Sequence, residues 1–488
     1  MSSFGVSNIQ GVNLQDKIPE SAKLVANSID VQSVVSNRRQ VKFNANNGNS
    51  FSPSETIHVA LQSQSDFIIP SSASVHLVLK NSTVTAAPAS AASTTSCFDD
   101  LSTCVINRAM LSASGVAVED ILDVNKVINT LAYSHMTPEH YNNQASVNVG
   151  AWKWVKGYGS DGVGAYTPAP DTVPPTTAQV NASVASVNSY AVLNRNDTFG
   201  VASRQILRSA KETANGLEVN IPLSYIFALF RSNTLFPLSF LSSLDMHLTL
   251  ESAIKAIFST VGTDVPNYKI NEFYVVADMV SLSTEYLNIL QASFNASEEM
   301  GYTLPIQTIS TAPQSSVAGG QSDMTFSKST PFMKNIYFRF TDTTFDTKVD
   351  EYSISGQCYH LDASPNMRLR VGSKPFPEYD SLKSAHEIYR NNCVGLGQMS
   401  NVSDNLGLLN NNTLTNATSK GSQFYTLFSM EKISGLGADY YAMDSMDASL
   451  AGGVITLSAN LLATTQILAM FEHTKVLKLG DRRVDVRG

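Results

Sequence analysis

The chain has 488 residues, a net charge of −8 and a pI near 5.5, which excludes a protein that holds nucleic acid through its overall charge. Charged residues are only 15% of the sequence, against about 25% in ordinary soluble domains, and Ser, Thr, Asn and Ala fill the gap. A surface of small neutral polar residues suits large areas buried against other subunits; it equally suits a chain with many long polar loops. The length favours two domains of roughly 200 residues or more.

Residues 1–28 have no sustained periodicity and read as an arm. The start, MSSFGVSNIQ, has neither the basic nor the apolar region of a signal peptide, so synthesis in a reducing compartment, the cytosol, is expected. Cys97, Cys104, Cys358 and Cys393 form no CxxC pair and have no histidine at zinc-ligand spacing, so they read as buried thiols. Seven Asn-X-Ser/Thr sequons, Asn81, Asn181 and Asn416 among them, are then what an Asn/Ser/Thr-rich chain produces by chance.

Strand signals begin at Ile29. Ser52–Leu61 and Ala73–Leu79 alternate apolar and polar at period two, and NSTVTAAPASAASTTS (81–96) is a low-complexity loop. A hairpin is expected over Ala109–Val118 around Ser114-Gly115, then a helix with Ile121, Val124, Ile128, Leu131 and Ala132 on one face. From 142 to 200 the chain is a long loop of Gly, Pro, Thr, Asn and Ser with scattered aromatics, and loops of that length are usually functional.

The most apolar stretch follows, IPLSYIFALFRSNTLFPLSFLSSLDMHLTLES (221–252). A membrane helix needs ~20 consecutive apolar residues. Here Arg231, the polar run Ser232-Asn233-Thr234, and Pro222 and Pro237 break the run, so a span is excluded. The stretch reads as a short helix, Tyr225–Phe230, with Pro222 in its first turn, a break at Asn233–Pro237, and a strand over Leu244–Glu251. Tyr268–Leu282 reads as a strand pair.

After about residue 290 the same order of elements starts over. Strands are expected at Tyr302–Ile309, Met324–Ser327, Asn335–Thr341, Tyr352–Tyr359 and Met367–Val371. A helix carrying Leu382, Ala385, Ile388 and Tyr389 on one face is capped by Asp380 or Ser381. A polar loop (401–423) and strands at Phe424–Lys432, Gly453–Leu461 and Lys475–Val486 complete the chain. The end, KVLKLGDRRVDVRG, carries five basic and two acidic residues and reads as a last strand, Val476–Leu479, with a solvated end. No residue-level repeat links the halves; the repeat is one of architecture. Many short strands with few helices, about eight per half, point to jelly-roll β-sandwiches.

Several catalytic signatures fail on context. Gly157–Gly162 matches GxGxxG, but Pro168, Pro170, Pro174 and Pro175 follow where the fingerprint needs a helix. His135 and His140 are five apart with Pro138 between them, which takes them off a shared helical face. The pairs Asp99-Asp100 and Glu298-Glu299 are adjacent and point apart rather than flanking a bond, though carboxylates from distant strands could still form a glycosidase pair. No catalytic, cofactor or metal residue is therefore assigned, and the expectation is a protein that is not an enzyme.

The order of segments resembles the double jelly-roll major capsid proteins of small eukaryotic double-stranded DNA viruses, the virophage, polinton-like and adintovirus group. Phe43–Val59 looks like that family's opening strands, and Met110–Val127 like its "S-G-x-x-x-E-D" strand, turn and helix. The 221–252 stretch, with Phe236-Pro237-Leu238 in the middle, looks like its "I-P-L … L-P-L … L-x-L-x-L" passage, and Tyr268–Leu282 like the strand closing its first roll. The likeness extends over nearly all of the chain, and the insertions 142–200 and 401–423 lie outside it.

The resemblance implies an all-β chain of two tandem eight-stranded jelly rolls with few short helices: an arm (1–28), a first roll (29–290) and a second roll (291–488). It implies a homotrimeric, pseudo-hexameric capsomer of an icosahedral virion, with penton and minor capsid or cement proteins as further partners. On that reading the long loops face outward, the arm locks neighbouring capsomers from below, and the basic tail makes weak contact with DNA or an internal membrane. The alternative is a carbohydrate-binding or carbohydrate-cleaving β-sandwich protein using Trp152, Trp154, Tyr158 and Tyr166 as its aromatic platform.

Overall fold

The computed structural model describes residues 35–63, 66–85, 96–98, 102–135, 216–232, 234–259, 264–296, 302–342, 361, 364–396, 425–432, 445–449, 452–480 and 483–487. The arm, both long loops and the strand expected at Tyr352–Tyr359 lie outside the described residues.

Eight strands carry the first half: β1 (Val35–Asn44), β2 (Thr56–Leu61), β3 (Ser74–Asn81), β4 (Ile106–Ala113), β5 (Val116–Ile121), β6 (Leu217–Pro222), β7 (Leu244–Leu250) and β8 (Tyr268–Leu282). Two sheets result, ordered β1-β8-β3-β6 and β2-β7-β4-β5. The second half has β9 (Tyr302–Val317), β10 (Gly320–Ser327), β11 (Met333–Asp342), β12 (Arg368–Val371), β13 (Lys374–Phe376), β14 (Tyr425–Ser429), β15 (Val454–Leu461) and β16 (Thr465–Gly480). Its sheets run β9-β16-β11-β14 and β10-β15-β12-β13. Numbered within its own half, each set follows the same order, 1-8-3-6 facing 2-7-4-5. That is two Greek keys closed into a sandwich, made twice. A short last strand, β17 (Arg483–Arg487), pairs with the end of β16.

Alternation builds each core. Ile57, Val59 and Leu61 of β2 and Leu244, Met246, Leu248 and Leu250 of β7 are buried while their neighbours are half-exposed. The second core gathers Phe326, Phe338, Phe471 and Phe428, with ring centroids 5.7–6.2 Å apart. The β4–β5 hairpin turns at Ser114 (φ 49°) and Gly115 (φ 82°), two left-handed positions that match a primed turn.

Several elements depart from the sequence reading. Tyr268–Leu282 is one strand, not a pair: a bulge at Glu272 (φ 54°) shifts the register and moves the buried parity from Tyr268 and Ile270 to Phe273, Val275, Ala277 and Met279. Ser52–Leu61 is likewise interrupted, with Ser50–Phe51 paired to β8 and Ser54 at φ 66° before β2 begins. The first long helix, α1 (Val124–His135), excludes Ile121, which ends β5; Asp123 (φ 51°) makes the turn between them.

In the apolar stretch Pro222 closes β6, α2 spans only Leu223–Ile226, extended Phe227 breaks it, and a 3₁₀ turn covers Ala228–Arg231. A further helix, α3 (Thr284–Ala296), follows β8. The counterpart of α1 in the second half, α4 (Ala385–Gly395), is capped by Ser384, whose hydroxyl accepts from Glu387 N–H, while Glu387 accepts from Lys383 N–H. Leu382 lies before this helix, bridged to Met367, so the cap is neither Asp380 nor Ser381. Finally, β16 runs unbroken from Thr465, so Lys475 is not the start of a solvated tail.

Candidate functional site: the seam between the sandwiches

The sheet β9-β16-β11-β14 is apolar on alternate residues in both directions. Ile467, Ala469 and Phe471 of β16 join the second sandwich's own core, whereas Leu468 and Met470 belong to the cluster that forms the first core. Tyr337, Tyr425 and Leu427 join that first cluster as well, so the sheet is a wall shared by both halves. Its meeting line with the first sandwich is where polar and charged side chains are buried.

Glu119 of β5 is fully buried. Its Oε1 accepts the Leu229 N–H at 2.9 Å, and its Oε2 accepts the Ala228 N–H and the Thr308 hydroxyl, each at 2.9 Å. One carboxylate thus binds the 3₁₀ turn of the apolar stretch and a strand of the other half. This explains why the turn departs from a continuous α-helix: two of its amides are drawn to a side chain distant in sequence. The next residue, Asp120, is outside the seam and forms a forked pair with Arg108.

Lys475 Nζ donates to the Val118 carbonyl at 2.9 Å. Burial pushes its ammonium below the usual lysine range, and the charges of Glu119 and Asp120 only partly offset this. Thr311 Oγ1 donates to Leu122 O at 3.0 Å, and the fully buried Arg339 reaches Lys126 O at 3.3 Å through Nη1. Beside Lys475 on β16, His473 is fully buried with its Nδ1 facing Phe471 O, and burial with the nearby charge of Lys328 pushes its pKa down to about 3. A narrow crevice between Glu119, Val124, Tyr225, Thr308 and Ile309 marks the line. Chemically this is an adhesive constellation. The contacts of Thr308 with Glu119, Lys475 with Val118, Thr311 with Leu122 and Arg339 with Lys126 cross from one half to the other, and Glu119's oxygens are taken by three donors.

The residues that the sequence raised and set aside are not brought together here. His140, Gly157–Gly162, Asp99, Asp100, Glu298 and Glu299 lie outside the described residues, as do Trp152, Trp154, Tyr158 and Tyr166 of the carbohydrate reading. Only the backbone of His135 is described, ending α1. Cys104 and Cys393 are buried, with Cys104 Sγ donating to Ala256 O at 3.5 Å; Cys358 lies outside the described residues, and only the backbone of Cys97 is described. Among the described residues no group of three or more His, Cys, Asp or Glu is placed to hold a metal ion, and no helix is long and apolar enough to cross a membrane.

No protein-family model matches the sequence, and no curated protein matches it. Solved structures do. The chain of the PBCV-1 virus capsid is similar at a TM-score of 0.53 and 9% identity, over 94% of this chain and 99% of that one. The Faustovirus major capsid protein gives 0.53 and 10%, covering 94% of each, and the Sputnik virophage structure 0.52 and 12%, covering 94% and 89%. This chain has the double jelly-roll fold of major capsid proteins. At such low identity the likeness is one of backbone path, in keeping with the strand order found independently in each half.

In the double jelly roll, two of the four passages on which the sequence resemblance rests meet at one point. Ser114 and Gly115 make the hairpin turn, Glu119 is the seam carboxylate, and Ile221-Pro222-Leu223 leads into the turn that Glu119 holds. The sequence displayed Glu119 but gave it no role. Thr308 carried no signal, and Lys475 was grouped with a solvated end. A carboxylate at the end of a hairpin strand, just before Ile121, was the available clue.

Proposed function

We propose that this chain is a major capsid protein that self-assembles into homotrimeric, pseudo-hexameric capsomers tiling an icosahedral virion. The observation that carries the reading is the doubled strand order, matched over 94% of the chain by capsid proteins of PBCV-1, Faustovirus and Sputnik. Three chains of two like sandwiches place six similar bodies around a closed ring, with one heterologous interface used three times. Obligate interfaces commonly bury about 2,000 Å² or more, which accommodates a surface with 15% charged residues. The role is structural rather than catalytic, and its place is the virion.

The chain divides into an arm (1–28), a first roll (29–290) and a second roll (291–488), with loops 142–200 and 401–423 on the outer face and the arm beneath neighbouring capsomers. Penton and minor capsid or cement proteins are further partners. The basic tail's weak contact with an anionic interior rests on fewer charges than its composition offers, because Lys475 is in the seam and Arg487 pairs with Asp485. Light scattering on the purified protein is the test: a species of three times the 52.7 kDa chain, with hexagonal outlines by electron microscopy, is expected. A stable folded monomer would overturn the reading.

A further inference from the structure

The first sandwich does not complete its own core. Leu304, Ile306 and Ile309 from the start of β9, and Leu477 and Leu479 from the end of β16, are buried in the first core's cluster, and Val484 and Val486 of β17 pack against it. None of these seven residues belongs to the second sandwich's own cluster. The two long strands run past the second sandwich, pair with each other from Tyr302↔Leu479 to Ile309↔Glu472, and take β17 alongside at Val476↔Arg487 to Gly480↔Arg483. This three-stranded tongue lies against β5, where Lys475 Nζ holds Val118 O and Thr308 holds Glu119.

We propose that the tongue is a clasp: residues 474–480 and 483–487 close the first sandwich, so the half synthesised first reaches its final core only when these residues, from beyond the second sandwich, are in place. Domains generally fold as units, N-terminal first. This chain departs from that order, because β5 remains open along one side until β16 and β17 arrive. The clasp is also the natural point of release. Separating β17 breaks the pairing over five residues and uncovers Val484 and Val486 together with the first-core surface they cover, leaving the second sandwich's own core intact. The clasp follows from the shared core and is independent of whether the chain builds a shell.

Hydrogen exchange with mass spectrometry on the full chain tests it, comparing the wild type with Val484→Asp/Val486→Asp and with the milder Val486→Ala. Peptides covering 116–135 should exchange faster by ~10-fold or more in the double variant and by a smaller factor in Val486→Ala, since local opening is set by the local stability of each unit. Peptides covering 368–371 and 454–461, in the second core, should stay within about 2-fold of wild type on the same scale. Should the double variant fail to fold, Val486→Ala decides alone. Unchanged protection at 116–135, or a rise in exchange equal or greater in the second sandwich, overturns the clasp.

Discussion

Replacing Glu119 by Gln is nearly isosteric, yet it should be among the more damaging single changes in the chain. The carboxylate accepts three hydrogen bonds at 2.9 Å inside the seam, two from backbone amides and one from Thr308. A glutamine amide offers one oxygen. Whichever way it is turned, its NH₂ faces at least one of the Ala228 and Leu229 N–H groups, donor against donor. A buried donor left unpaired costs about 1–3 kcal/mol, and bonds to a charged acceptor contribute about 1.5–3 kcal/mol each. The change also removes the anion that partly offsets the buried Lys475 ammonium. Together these give a loss of about 2–4 kcal/mol. Thr308→Val removes one donor and leaves the carboxylate two, so about 1 kcal/mol is expected there. Because both residues share one contact, the double variant should be less unstable than the sum by about 0.5–1.5 kcal/mol. Urea unfolding measures each variant, read as a shift of midpoint at unchanged slope. A loss under about 0.5 kcal/mol for Glu119→Gln, typical of an exposed site, or strict additivity with Thr308→Val, would refute the account of the seam.

Three further outcomes follow from buried polar groups. His473, held neutral with its pKa pushed down to about 3, takes up no proton in the fold, whereas the unfolded chain does so below about 6.5. Stability should therefore fall as pH drops from about 6.5 toward 3, by about 2 kcal/mol at pH 5, and His473→Gln should flatten that segment of a stability–pH curve. Asp66 behaves differently: burial raises its pKa, but hydrogen bonds from Ser281, Arg39 and Ser63 outweigh burial and hold it below the ordinary value. Its stabilisation is present above about pH 4 and lost as pH falls through the folded value, so Asp66→Asn should weaken the acid sensitivity that denaturation shows below pH ~4. Asn392 of α4 covers the edge of β14, accepting from Leu427 N–H and donating to Tyr425 O, each at 2.8 Å. Asn392→Leu should lower the melting temperature through about 2 kcal/mol of lost pairing and raise aggregation measured by light scattering, since it uncovers an edge strand.

What could be read from the sequence was set by range. Where burial follows local alternation, as in Ile57-Val59-Leu61 or Leu244-Met246-Leu248-Leu250, the strands were visible, and the Ser114-Gly115 turn carried its own chemistry. Glu272 hid the unity of β8, because a bulge reverses the parity on which strand reading relies. The cap of α4 is legible in Ser384-Ala385-His386-Glu387, a capping-box spacing; Leu382, which reads as part of the helix's apolar face, instead bridges Met367 ahead of it. The break in α2 was not legible at all, since its cause, Glu119, lies more than 100 residues away. The fate of Lys475 was equally hidden. Nothing local distinguishes a lysine in a solvated end from one whose ammonium reaches a carbonyl of the other half.

The polar character of the seam has a physical reason beyond stability. Both halves use the same strand order, so the chain contains two bodies of similar shape whose faces are largely apolar. Apolar burial is non-directional and would tolerate a rotated or slid docking at little cost. Hydrogen bonds to particular groups across the seam would not: Thr308 meets Glu119, Lys475 one carbonyl, Thr311 and Arg339 one each. A docking shifted by a few ångströms would take the buried Lys475 ammonium off its carbonyl and Thr308 off Glu119, and a buried donor left unpaired costs about 1–3 kcal/mol, more when it is charged. The seam therefore sets the angle between the sandwiches more firmly than it adds to their stability. In the capsomer proposed above, that angle is the quantity that matters, because an error within one chain is multiplied at every interface beyond it.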